Sequence, residues 1–224
     1  MSRVQEKFSE LCREVEDISR SCGRCAGDVK ILVVSKTVPV EVMKELYACG
    51  VREFGENREP ELAMKVSAMA DDIVWHFIGP LQTNKIRKVV KNAAVIHSVA
   101  STAHIERLER IAGEEGKHPE ILLEVNVSGE SSKGGFTPDE LFSAAAVAAK
   151  CANVNWTGLM TMAPLNASGV ELTEIFSKLR ELRDRCERET GKELKTLSMG
   201  MSGDFPEAIA CGATVIRVGS RIFK

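Results

Sequence analysis

The chain has 224 residues, 44% of them apolar, and its 30 Lys and Arg nearly balance 32 Asp and Glu for a formal charge of −2. That is enough apolar material for a substantial core and excludes a disordered chain, while the near-neutral balance argues against nucleic acid or an anionic membrane surface as partner. No apolar run approaches the roughly 20 residues that cross a bilayer, and Met1-Ser-Arg-Val-Gln-Glu-Lys-Phe8 has charges where a signal peptide needs an apolar stretch, so the expected location is cytoplasmic.

Glu6 to Ile18 reads as an N-terminal helix. Cys22-Gly-Arg-Cys25 follows, the only close pair among seven scattered cysteines. With no second CxxC and no paired histidines it is read as reduced thiols, not as a metal or redox site. From there short apolar runs alternate with helical spacing. Ile31 to Val34 leads to a helix over Val40 to Cys49 with Gly50 as its C-terminal cap, Val51 to Phe54 to one over Glu59 to Met69, and Ile73 to Ile78 to one over Thr83 to Lys91. Ala94 to His97 leads to Thr102 to Glu115, Ile121 to Val127 to Asp139 to Ala149, and Asn155 to Met162 to Glu171 to Glu189, with Gly191 past its end. Leu194 to Ser198 and Thr214 to Val218 complete eight strands. Thr137-Pro-Asp-Glu140 combines an N-cap hydroxyl, Pro at the first helical position and Glu at the third, each matched to the free amides of a helix start.

Parallel strands need crossovers, and helices are the usual ones. Eight such repeats in 224 residues predict an α/β fold, a closed (β/α)8 TIM-type barrel with an extra N-terminal helix, forming one domain over residues 1–224. An open doubly wound sheet is the alternative, but no GxGxxG follows the first strand.

In such a barrel the chemistry lies at the carboxyl ends of the strands. Lys36, directly after Ile-Leu-Val-Val, is expected at the mouth beside apolar walls. Desolvation there would favour a neutral amine, the nucleophile a Schiff base requires; the plain alternative is a rim lysine. The loops after the last two strands, Ser198-Met-Gly-Met-Ser-Gly203 and Arg217-Val-Gly-Ser-Arg221, suit an anion. Gly200, Gly203 and Gly219 admit close backbone approach, Ser202 and Ser220 add hydroxyls, and a helix starting near Asp204 would point its positive end inward. As plain turn residues these glycines need no ligand. A Schiff-base lysine beside a phosphate cradle fits an aldolase acting on a sugar phosphate, or a site for pyridoxal 5′-phosphate. Arg217 favours the second: a guanidinium donates and never accepts, so it suits a ring nitrogen left unprotonated. His76 and His97 read as satisfied barrel residues, with His76 within reach of a ring, and Met199 and Met201 as packing around a cofactor. Lys85, Arg87, Lys88 and Lys91 read as a solvated helix face, and Trp156 as core.

The chain resembles the pyridoxal phosphate homeostasis proteins, whose fold is similar to the barrel domain of alanine racemase. The landmarks are Val34-Ser-Lys-Thr37, Phe54-Gly-Glu-Asn57, Trp75-His-Phe-Ile-Gly-Pro-Leu-Gln82 with Asn84-Lys85, His97-Ser98, Val125-Asn126, Ser132-Lys-Gly-Gly-Phe136, Gly158-Leu-Met160, Leu197-Ser-Met-Gly-Met-Ser202 and Arg217-Val-Gly-Ser-Arg-Ile-Phe223. The resemblance implies that Lys36 holds the cofactor as an internal aldimine. Ser202, Gly219 and Ser220 would hold its phosphate, with Arg217 facing the pyridine nitrogen and Asn57 beside the ring. It further implies a part in intracellular vitamin B6 homeostasis, as carrier or regulator without robust catalysis, with apo-forms of pyridoxal phosphate-dependent enzymes as partners. No catalytic residue and no metal site are assigned. A monomer or weak homodimer is expected. Gly134 stands where the family often has Ser, and Ser220 where it often has Thr. A pyridoxal phosphate-dependent racemase is the enzyme alternative. An Arg-paired ring and a chain that stops after strand eight, without a domain to supply a second acid-base group, argue against it.

Overall fold

A computed structural model describes residues 1–130 and 133–224. Helix α1 (Arg3–Ser21) starts on a capping box in which Ser2 and Gln5 satisfy each other's free amides. Then come β1 (Lys30–Val34), α2 (Val40–Ala48), β2 (Glu53–Glu56), α3 (Glu59–Ala68), β3 (Val74–Phe77), α4 (Ile86–Asn92), β4 (Val95–Val99), α5 (Thr102–Glu115), β5 (Glu120–Glu124) and α6 (Pro138–Ala148). The chain continues through β6 (Asn155–Met160), α7 (Gly169–Thr190), β7 (Thr196–Met201), α8 (Phe205–Ala210), β8 (Val215–Val218) and α9 (Ser220–Phe223). All eight strands are parallel and close in sequence order, β8 pairing with β1 through Lys30 opposite Val215 to Val33 opposite Val218. The expected (β/α)8 barrel is thus the observed one.

Local chemistry fixes the element ends. Thr137 and Glu140 form the expected box at α6, Ser168 and Glu171 form another at α7, and Gly191 ends α7 in the left-handed region. Val51, expected to open the second strand, instead closes α2. Its N–H bonds back to the Leu46 carbonyl at 3.2 Å while Gly50 takes φ 92°, so the strand starts two residues later and carries Gly55 and Glu56 within it. The seventh strand likewise runs on to Met201, with an irregular register against β8 between Ser198 and Met201. Leu32, Phe54, Ile96, Phe176 and Phe205 are among the fully buried side chains of a core that lies within the barrel and between it and the helices.

Candidate functional site

The register assembles the rim. Val34 lies opposite Gly55 and Val33 opposite Val218, so Lys36 and Asn57, each two residues further on, stand at one level with Gly219 and Ser220 beside them. Ser202 directly follows Met201, the partner of Arg217. Five of the six nominated residues therefore sit on the C-terminal rim, and the sixth, Arg217, lies buried within the barrel.

Lys36 does not sit among apolar walls as expected. It is exposed, because Ser35 to Val38 make a tight turn closed by the Val38 N–H on the Ser35 carbonyl at 2.9 Å, which lifts residues 36 and 37 outward. Thr37 takes φ 64°, a left-handed conformation that costs a β-branched residue about 1–3 kcal/mol. Beneath the turn lies a buried polar cluster that sequence reasoning missed. Glu56 Oε1 accepts from the Ser35 hydroxyl at 2.6 Å and from Lys65 Nζ at 2.7 Å, and Lys65 also donates to the Ser35 carbonyl at 2.8 Å. The only signals were a Glu ending an apolar strand and a Lys on the inner side of α3.

Lys36 and Ser220 are exposed, and Asn57 and Ser202 half-buried. Among the described residues these four side chains enter no hydrogen bond or ion pair with another group. The two loops beside them differ from expectation in part. Gly200 does not open onto the mouth: a Cβ there would lie 2.6 Å from the Ala208 side chain, so this glycine lets α8 pack on β7. Helix α8 has only six residues, and its N-cap Asp204 accepts the Met201 N–H instead of capping its own helix. Gly203 is exposed with open space around it. At Gly219 a Cβ would meet the Val34 carbonyl at 2.9 Å, so a bare backbone is required where β8 passes β1.

Arg217 Nη1 donates to the Ser198 carbonyl and hydroxyl, each at 2.8 Å, and Nη2 to the Thr161 carbonyl at 3.0 Å. Burial pulls its pKa down to about 10, against the pull of Asp204 and Glu124, so the guanidinium is charged at neutral pH. Burial also raises Glu124, opposed by Arg217. His97 is a satisfied interior residue as expected; His76 bonds His97 through Nδ1, while its buried Nε2 has no hydrogen-bond partner among the described residues and meets Glu53 only as an ion contact. Burial, followed by the charges of His76 and Arg217, drives His97 well below the usual imidazole range.

The remaining candidates resolve simply. Met199 is fully buried in the hydrophobic core, while Met201 is half-buried at the strand end. Trp156 is core, its indole N–H on the Gly158 carbonyl at 2.9 Å. The α4 basic group is paired: Lys85 and Lys88 with Glu59, Arg87 with Glu114 and Glu115, Lys91 with Glu115. Cys22 and Cys25 are free and exposed. Ser132 lies outside the described residues, and Gly134 is exposed. No described helix is long and apolar enough to cross a membrane.

A primary amine, three polar side chains and two stretches of glycine backbone thus stand around one rim, above a buried cation, a set chemically able to meet a small anionic carbonyl compound. Comparison with known proteins bears on this arrangement. The family model for the alanine racemase N-terminal domain matches residues 15–224. The pyridoxal phosphate homeostasis protein of Aquifex aeolicus is 41% identical over 224 residues, covering 100% of this chain and 95% of that one. PipY of Synechococcus elongatus, solved with PLP bound, superposes with a TM-score of 0.87 at 36% identity, covering 99% of this chain and 100% of its own. Alanine racemase of Clostridium difficile, 17% identical with a TM-score of 0.74, shares the fold over 95% of this chain and 58% of the racemase. The matched family model, and a relative this similar along its whole length, establish that the chain belongs to the pyridoxal phosphate homeostasis proteins, within the alanine racemase N-terminal domain family.

Proposed function

We propose that the chain is one barrel domain that holds pyridoxal 5′-phosphate at its C-terminal rim and serves intracellular vitamin B6 homeostasis in the cytoplasm as a carrier or regulator. The observation that carries this reading is the ring of unpartnered side chains, Lys36, Asn57, Ser202 and Ser220, above the buried donor Arg217. The cofactor, when bound, supplies an aldehyde that condenses with a primary amine and a ring that withdraws electrons. Lys36 would hold the cofactor through its ε-nitrogen. The hydroxyls of Ser202 and Ser220 and the amides of Gly203 and Gly219 would donate to the phosphate, and Asn57 would stand on the ring's side of the site. Arg217, a cation that only donates, would leave the ring nitrogen an acceptor.

The same residues argue for poor catalysis. An unprotonated ring is a weak sink for a carbanion, and racemisation needs acid and base groups on two faces of one carbon. His76 and His97 are bonded within the barrel, and the single tyrosine, Tyr47, is committed to Asp72 outside it at 2.8 Å. An open rim suits exchange of the cofactor with apo-forms of enzymes that use it, and a monomer or weak homodimer suffices.

The test is the visible spectrum of the purified chain, followed by borohydride reduction and peptide mapping. A pyridoxyl adduct on Lys36 supports the reading, whereas an adduct on Lys85 or Lys133 sinks it. Amino-acid α-proton exchange at 1 s⁻¹ or faster, on the order of ordinary enzyme turnover, would promote the racemase reading.

A further inference from the structure

Five side chains from five strands run end to end through the barrel below the rim. Arg217 on β8 donates to Ser198 Oγ on β7 at 2.8 Å, and that oxygen lies 2.9 Å from His97 Nδ1 on β4. His97 Nε2 lies 2.9 Å from His76 Nδ1 on β3, and His76 Nε2 lies 3.3 Å from Glu53 Oε2 on β2, an ion contact without hydrogen-bond geometry. His97 and Ser198 are fully buried, and His76 and Arg217 are each 5% exposed. Only Glu53 reaches water. Its side chain is 24% exposed, pairs with Lys30 at 2.8 Å and lines a cavity of about 340 Å³ between α1 and the amino-terminal end of the barrel, opposite the rim.

One order of protons along this path suits both of its ends. A guanidinium can only donate, and an ionised carboxylate can only accept. With Glu53 accepting, His76 carries its proton on Nε2, which leaves Nδ1 as acceptor. His97 must then donate from Nε2, its own Nδ1 accepts, and the Ser198 hydroxyl, already accepting from Arg217, donates to it. In this order the three hydrogen bonds between Arg217 and His76 point the same way, and His76 Nε2 faces the Glu53 carboxylate. The charged groups facing this path are Lys30 at the Glu53 end, and Asp204 and Glu124 at the Arg217 end. A neutral His97 agrees with its strongly depressed pKa, and an ionised Glu53 with a carboxyl held down at about 2 by the contact with His76 foremost.

We propose that Ser198, His97 and His76 form a one-way hydrogen-bond wire, ended by the ion contact of His76 with Glu53, through which the far carboxylate positions the Arg217 guanidinium from the opposite face of the barrel. These are positioning residues: none of the four is assigned a contact with ligand. A one-way chain polarises each link in the same sense and holds Arg217 in one orientation.

The first test uses the full-length chain without added ligand. Long-range proton–nitrogen-15 correlation resolves the tautomers of its four histidines, assigned with His104→Gln and His118→Gln. Nε2–H on both His76 and His97 at neutral pH is expected; Nδ1–H on either overturns the wire. The second cuts the path at its two ends. Ser198→Ala removes only the hydroxyl and leaves the Ser198 carbonyl on Arg217, while Glu53→Gln removes the remote charge. Each should speed exchange of the Arg217 side-chain N–H protons by roughly fivefold to tenfold, the equivalent of one hydrogen bond. Unchanged exchange in Glu53→Gln overturns remote positioning. The third arm rests on the reading of Arg217 as the ring-nitrogen partner: the absorption band of added pyridoxal phosphate should shift in the same direction in both variants. Altered exchange with an unmoved band would retire that reading and leave the wire standing.

Discussion

Lys36, Asn57, Ser202 and Ser220 stand on the rim without partners among the described residues, whereas one layer down Ser35, Glu56, Lys65, Ser198 and Arg217 are bonded to one another or to backbone carbonyls. The residue types are alike; their access to water differs. A buried polar group without a partner costs about 1–3 kcal/mol or more, so the interior must close its own bonds, and even there Glu56 leaves Oε2 unmatched. On the rim water meets that need, and polar groups stay available to a ligand. Binding capacity is thus legible as polar groups the fold has left unspent, and structural obligation as those it has used.

Substitutions on either side should separate the two roles. Lys36→Ala should abolish the visible band and borohydride-stable labelling altogether, while leaving urea-unfolding stability within about 0.5 kcal/mol, as for any exposed residue outside the core. Lys65→Met should do the reverse. Stranding the Glu56 carboxylate should cost about 3–5 kcal/mol in urea unfolding, and adding Glu56→Leu should recover much of it, because a buried ion pair is worth little against an apolar pair.

Acid should expose the interior in two steps. His97 is held neutral when folded, so its stabilising effect is lost as the pH falls below its ordinary value near 6.5, where the unfolded chain takes up the proton first. Glu53 is held at about 2 against an ordinary 4.5; its contribution is present above 4.5 and lost as the pH falls from there toward 2, an effect of about 3 kcal/mol. Unfolding free energies measured from pH 7 to 3 should show both declines, and Glu53→Gln should flatten the lower one. The smallest effect belongs to neither layer: Thr137→Ala, which removes half of the α6 capping box, should cost about 1 kcal/mol in the same assay.

The barrel was legible because parallel strands and crossover helices alternate in period, and α5 was bounded correctly at Thr102 and Glu115. Val51 shows where periodicity misleads: an apolar residue after Gly50 serves a helix cap as well as it would a strand. The rim residues were legible from their places after strand ends, since the barrel puts all such positions on one face. The enclosure of Lys36 was not, because the Thr37 turn directs that segment outward, and no propensity rule predicts a β-branched residue at φ 64°. The partnership of Glu56 with Lys65, and the path from Glu53 to Arg217, join strands and helices across the barrel. Sequence order carries no record of which side chains meet there.

The close passage of Gly219 by the Val34 carbonyl marks the seam where the first and last strands join. Lys36 and Asn57 stand on the early side of it, Ser202 and Ser220 on the late side. The rim therefore does not exist until the final strand has been made and docked, and such a long-range pairing forms slowly. A ligand that bridges both sides acts as a clasp on that seam, stabilising the closed barrel by about 2.7 kcal/mol at a hundred times its dissociation constant. Cofactor supply would then be written into the lifetime of the folded chain.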